Sequence, residues 1–217
     1  MDPQVVAAMA RWPNVPDVYG WLSLSAMGQW RLHPRGTGWR CQVDPLAGLS
    51  SDDILGEAIT SPQITSFIGR NYMSDAAGQW FFQNGPQRVY VRLDAAPYIL
   101  RTDLDAQGRL MLRTQSGEAA GQVSAWWLDE QGRMFAQAAI GPGMIAGRDL
   151  PAVIEALRTP DGPLSDALAD QADRDLALHV LPWPEPDEGP PVALRYIDAS
   201  QLPDVLGFVA YPQPDSV

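Results

Sequence analysis

The sequence predicts an α+β protein: an antiparallel meander of hairpins, a small N-terminal α/β unit before it and C-terminal helices after it. Three observations carry this. A turn of the form Asp/Ser-x-x-Gly-Gln/Arg occurs four times, at Ser25–Gln29, Asp75–Gln79, Asp105–Arg109 and Asp129–Arg133. Apolar residues run into and out of each, and glycine supplies the positive φ that a hairpin corner needs. Val89, Val91 and Leu93 alternate with Arg88, Tyr90 and Arg92, the period of two that marks a strand. Helix-start signals at Ser61-Pro62 and Asp149 precede apolar residues spaced i, i+3, i+4.

Taken in order, Trp12-Pro13-Asn14-Val15-Pro16 is an extended lead-in. Tyr19 to Ser25 and Gln29 to His33 form the first hairpin, closed by Gly28 and broken by Pro34-Arg35-Gly36-Thr37-Gly38. A short strand fits Arg40 to Val43. Ser51 caps a helix carrying Ile54, Leu55, Ala58 and Ile59. Ser61 caps another, with Pro62 at its first position and Ile64, Phe67 and Ile68 on one face.

From Asn71 to Ile140 the pattern gives roughly seven strands. Asn84-Gly85 is a tight-turn pair, Ala95-Ala96-Pro97 the next corner, and Tyr98 to Thr102 the strand after it. Gly108 and Gly132 close two further hairpins joined by the loop from Ser116 to Gly121. Gly141-Pro142-Gly143 reads as a glycine-rich connection out of the sheet. Asp149 caps a helix with Leu150, Val153, Ile154 and Leu157 on one side.

Residues 164–173 read as helical and Leu176 to Leu181 as a strand. The proline-rich run from Pro182 to Pro191 continues neither helix nor sheet. A strand from Val192 to Ile197, a helix from Ser200 to Leu206 and a strand from Phe208 to Tyr211 should dock on the main body. The domain division that follows is a hairpin-plus-helices unit over 1–70, an antiparallel β-domain with a capping helix over 71–160, and an extension over 161–217.

Composition bounds the chemistry. A chain of 217 residues, 46% hydrophobic, is large enough to bury a substantial core, and with eight Trp several indoles must lie inside it. Net charge is -11, which disfavours nucleic acid and anionic lipid as partners. All fifteen basic residues are Arg, so Walker-type loops, Schiff bases and lysine general bases are excluded. With one Cys (Cys41) and two His (His33, His179), neither a disulfide nor a cysteine zinc site is expected, and no cofactor or metal is assigned. The start lacks a signal peptide's basic region, and no apolar run reaches membrane-spanning length, so a cytoplasmic location is expected.

The stretch from Ser66 to Leu100 includes Phe67-Ile68-Gly69-Arg70-Asn71-Tyr72, Trp80-Phe81-Phe82-Gln83-Asn84-Gly85 and Ala96-Pro97-Tyr98. It resembles an uncharacterised proteobacterial family known only as a domain of unknown function. Trp12-Pro13 to Gly20-Trp21-Leu22, with Trp30-Arg31-Leu32-His33, fits the same resemblance. A more distant likeness is to bacterial proteins with a small α/β unit followed by a pleckstrin-homology-like β-domain. It implies a barrel for the β-domain and no reaction. The absence of Lys argues against the phosphoinositide role that such a barrel suggests.

Several local patterns imitate functional motifs. Asp103-Leu104-Asp105-Ala106-Gln107-Gly108 opens like a calcium loop, but position twelve is Thr114 where Glu is required, and a hairpin turn already explains it. Gly141 to Gly147 lacks dinucleotide-loop spacing. Cys41 with His33 admits a thiol–imidazole reading, against a small buried hydrophobe and a structural imidazole. The carboxylate pairs Asp52-Asp53, Asp129-Glu130 and Asp187-Glu188 sit at turns or helix starts, where acids belong.

What remains is a polar and aromatic face: Arg88, Tyr90 and Arg92 on one strand, Arg101 on the next, with Trp80 and Asn84 nearby. Neighbouring arginines beside an aromatic can receive an anion. The competing reading is a solvated face paired with Asp94 and Asp103. The function expected is a non-catalytic binding or regulatory module for a small anionic ligand or a protein segment. The alternatives are an enzyme using paired carboxylates, with or without a divalent metal, and a structural interaction module with an exposed apolar patch.

Overall fold

The computed structural model describes residues 1–38, 55–169, 177–185 and 189–214. The chain divides into two compact units, Met1–Ala95 with Gly207–Val217, and Ala96–Leu206. Among the described residues it is α+β, as the sequence predicts.

The first unit contains α1 (Pro3–Arg11), β1 (Val18–Leu24), β2 (Trp30–Leu32), β3 (Glu57–Ala58), α2 (Pro62–Arg70), β4 (Tyr72–Ser74), β5 (Trp80–Asn84) and β6 (Gln87–Leu93). Its sheet runs β3-β2-β1-β6-β5-β4. Two antiparallel groups, β1 to β3 and β4 to β6, join through a parallel pairing that sets Ser23 opposite Arg92 and Leu24 opposite Leu93. The helix α1 is absent from the sequence reading. It starts at Asp2-Pro3, buries Val5, and is tied down by Arg70, whose Nε donates to the Asp2 carboxylate at 3.0 Å. That bond holds the Asp2 carboxyl below its ordinary range.

The helix α2 forms where expected, with Ser61 Oγ accepting from the Ile64 amide and Pro62 opening the first turn. Leu55 is helical as expected, but the continuation of that helix over Ala58 and Ile59 is corrected. Gly56 takes φ +71°, outside helical space, and Glu57–Ala58 pair with Leu32 and Arg31 as a strand. Ser51, Ile54 and the strand expected at Arg40 to Val43 lie outside the described residues.

The second unit contains β7 (Tyr98–Leu104), β8 (Leu110–Arg113), β9 (Val123–Asp129), β10 (Met134–Ala138), β11 (Gly141–Ile145) and α3 (Leu150–Ala156). There follow β12 (Arg158–Thr159), β13 (Gly162–Pro163), α4 (Leu164–Ala169), β14 (Ala177–Val180), β15 (Val192–Ile197), a 3₁₀ turn at Ala199–Gln201 and α5 (Leu202–Leu206). Its curled seven-stranded sheet runs β14-β15-β9-β10-β11-β7-β8. Hairpins again supply the antiparallel pairs, while β7 with β11 and β9 with β15 are parallel. Trp126, Met134 and Leu194 are buried on one of its faces and Phe135 on the other.

Seven strands do lie between Tyr72 and Ala138, but they divide, β4 to β6 in one sheet and β7 to β10 in the other. Gly141–Ile145 is a strand and not a connection out of the sheet. Pro142 is tolerated because it faces Gln137 on β10 before pairing with β7 begins at Gly143. Asp149 precedes α3 without capping it; its Oδ1 accepts from Thr102 Oγ1 at 2.9 Å. Residues 164–169 of the expected 164–173 helix are helical, and the remainder lies outside the described residues. Phe208 to Tyr211 is not a strand: Val209 makes a single bridge, to Gln79.

The four glycine corners are observed as hairpin turns. Asp75 Oδ1 accepts from the amides of Ala77 and Gln79, both at 2.9 Å, and Asp105 and Asp129 do the same two and four residues on. Ser25 Oγ accepts from Gln29 N at 3.1 Å. Their glycines take φ between 70° and 77°. Arg109 and Arg133 each donate Nε back to their own turn aspartate, which explains the basic residue that follows the glycine. A fifth corner is built on Thr114 and Gly117.

Candidate functional site

The apolar face of α2 covers its sheet incompletely. Phe67 meets Phe82 edge-on at 5.5 Å and Ile68 is buried, whereas Ile64, a turn earlier, is 51% exposed. Between helix and sheet lies a groove of about 660 Å³. Leu22, Ile68 and Phe82 are buried at its base, Val18, Ile59 and Val89 are half-buried along it, and Trp21, Leu32 and Ile64 stand exposed at its rim. Asn84 and Gln87 complete the lining. Among the described residues, none of the twelve that line it is charged, in a chain that is 19% charged.

The position of Trp21 follows from backbone irregularity. Between Val18 and Leu22, β1 advances four residues while β6 advances only from Val89 to Val91. Gly20 sits in this bulge at φ +75°. Such an insertion re-aims the side chains beside it. The Trp21 indole then rests on Gly36, where a Cβ would lie 2.8 Å from Nε1; Gly36 itself takes φ +64°. Two left-handed glycines therefore fix an indole that is 42% exposed.

Asn84 and Gln87 face each other in register across the Gly85-Pro86 connection. Gln87 Nε2 donates to the Pro16 carbonyl at 3.0 Å, which orients its amide. Asn84 is exposed, and its side chain makes no hydrogen bond among the described residues.

The residues that the sequence singles out are dispersed. Arg88, Tyr90 and Arg92 do alternate with Val89, Val91 and Leu93 on β6, but both faces are covered, so Tyr90 and Arg92 are buried. Tyr90 stacks on Tyr19 at 4.5 Å and donates to Asp75 Oδ2 at 3.1 Å. Burial pushes its phenol up; Arg88 opposes the rise and Asp75 adds to it. Arg88 lies over the Phe81 ring, 4.8 Å from its centroid, beside an open polar cleft that also includes Asn14, Asp17 and Gln83. Arg92, 6% exposed, donates Nε to Asp94 at 2.9 Å and Nη1 to the Gly38 carbonyl at 2.7 Å.

Trp80 is buried against Tyr72, and Asn84 is at the apolar groove. Arg101 is on β7, in the other sheet. The structure thus joins Arg88 to Tyr90 and separates the remaining four. A buried Ser23 Oγ to His33 Nε2 contact of 2.9 Å, which the sequence does not announce, engages the imidazole of the thiol–imidazole reading with Cys41. Cys41 lies outside the described residues.

Fold and groove together define a mixed α+β protein with an apolar groove that carries no charged side chain among the described residues. The chain belongs to the family DUF2944, described as a protein of unknown function (DUF2946), whose model matches residues 1–213. Membership of an uncharacterised family, expected from the Ser66 to Leu100 stretch, is borne out. Among solved structures, the chain is similar to a DUF1285 family protein from Silicibacter pomeroyi DSS-3. Identity is 14%, 75% of this chain and 88% of that one are covered, and the TM-score is 0.46. It is also similar to a DUF1285 family protein from Shewanella baltica OS155, at 11% identity over 62% and 91% of the two chains, TM-score 0.41. No curated protein is similar enough to match.

Proposed function

We propose that the protein is a non-catalytic binding module whose site is the groove of the first unit, and that its ligand is a small molecule with a mainly apolar body. The observation that carries this is the uncharged lining beneath three large apolar side chains left in water. Small-molecule sites are of this kind: about 300–1,000 Å³, lined by apolar and aromatic groups with a few polar atoms to orient the ligand. Contiguous exposed apolar surface on a folded chain points the same way. The binding role expected from sequence is kept, and the site moves away from the arginines. Arg92 has Asp94 and Gly38 as partners and Arg88 rests on Phe81, which supports the groove over an anion site. In this reading the protein acts in the cytoplasm, and its curled sheet, the counterpart of the expected pleckstrin-homology-like barrel, binds no phosphoinositide.

The test is a titration with the uncharged dye Nile red. Saturable enhancement near one dye per chain is expected, with affinity falling at least about tenfold in Ile64→Asp, a burial change worth more than 1.4 kcal/mol. Fluorescence that never saturates, or that Ile64→Asp leaves unchanged, would remove the basis of the proposal.

A further inference from the structure

The groove is chemically uneven, and its one polar end is neutral. Asn84 brings an amide with both a donor and an acceptor, neither engaged among the described residues. Gln87 is held by its Nε2–H bond to the Pro16 carbonyl, which leaves Oε1 as an acceptor. Among the described residues, no Arg, Asp, Glu or His lines the groove. We infer that the groove takes an amphiphile whose apolar chain lies between α2 and the sheet and whose head is a neutral hydrogen-bonding group, an amide or an alcohol. This rests on the binding role proposed above and adds to it the chemistry of the head.

The argument is one of complementarity. A primary amide or a hydroxyl both gives and receives a hydrogen bond, so it can satisfy the Asn84 amide and donate to Gln87 Oε1. A carboxylate can only accept. It would set its charge beside two carbonyl oxygens with no cation in the lining, on a chain of net charge -11. An ammonium can only donate, and it would be partly desolvated with no carboxylate in the lining to compensate. Both ions lose hydration that the groove does not replace; the neutral heads lose little.

The experiment uses the full chain and four octyl probes differing only in the head: octanamide, 1-octanol, octanoate and octylammonium, each displacing Nile red at pH 7. Octanamide and 1-octanol are expected to displace the dye at concentrations at least about tenfold below those of the two ions. In Asn84→Asp, an isosteric change at an exposed turn position, octylammonium should gain at least about tenfold relative to octanoate. Octanoate displacing as well as octanamide in the native protein would overturn the inference while leaving the groove as the site. So would an Asn84→Asp protein with unaltered preferences, or failure of every octyl probe against a dye that does bind. Failure of Nile red itself would instead bring down the binding role.

Discussion

The two units finish their interiors differently. Among the described residues, the second unit keeps most of the large side chains that lose nearly all contact with water, including Trp126, Phe135, Ile99, Leu100, Met134 and Ile145. In the first unit the corresponding set is Leu24, Leu93 and His33. Exposed large apolar residues are distributed in reverse. Among the described residues, Met1, Val6, Trp12, Trp21, Met27, Leu32, Leu55 and Ile64 belong to the first unit, and only Leu104 and Val205 to the second. Both units are built from the same glycine-cornered hairpins, so the difference comes from what covers the sheets. The second unit buries its large apolar side chains more completely, and the first leaves more apolar surface open.

The largest expected effect is in the packed unit. Phe135→Ala should cost about 3–5 kcal/mol, because a fully buried ring leaves a cavity that its neighbours fill only partly. Denaturant unfolding checks this, and a loss below about 1 kcal/mol would mean that the interior is looser than described.

Next is Tyr98, also in that unit, whose phenol is pushed up to about 12 by burial, with Glu118 adding to the rise. A folded value above the unfolded one near 10 contributes stability in full below pH 10. That contribution is lost as pH rises toward 12, and it amounts to roughly 2–3 kcal/mol. Comparison of native and Tyr98→Phe proteins across that window should show a larger alkaline loss in the native chain, the remainder in the variant coming from Tyr90.

In the first unit, Gly36→Ala combines a left-handed φ with a clash against the Trp21 indole. About 1–2 kcal/mol of stability should go, together with weaker Nile red binding, since the rim indole is displaced. Stability unchanged with binding intact would show that Trp21 needs no such seat.

Smaller still is the acid response of the turns. The backbone N–H of Arg109, above all, holds the Asp105 carboxyl below its ordinary 3.8. Its contribution is present at neutral pH and lost as pH falls through that lowered value. Asp105→Asn should therefore shift melting slightly at pH 7 and progressively less as pH falls below 3.8. The smallest stability effect belongs to Ile64→Asp, within about 0.5 kcal/mol, because an exposed side chain has little to lose.

The contrast between the units also marks where local sequence stops being informative. The turns were legible because Asp75, Asp105 and Asp129 bond amides two and four residues ahead, wholly within five residues of chain. Ser61 and Pro62 announced α2 for the same reason. The parallel pairings of β1 with β6, β7 with β11 and β9 with β15 join distant segments, and no local period reports them. That gap explains the misread face of β6. Alternation correctly separated Arg88, Tyr90 and Arg92 from the valines, but it could not reveal that Tyr19 and the Gly38 carbonyl would cover the polar side.

Half of the groove was visible as the apolar face of α2, and Asn84 was noted for another reason. Trp21 gave no signal, because its exposure depends on a bulge at Gly20 that appears only when β1 lies against β6.

The most direct test of the account is an amide chemical-shift map of the full chain titrated with 1-octanol. The groove predicts saturable shifts at Trp21, Leu32, Ile64, Phe67 and Asn84, with β9 and β10 unmoved. Shifts that centre on the second unit, or that spread without saturating, would contradict it.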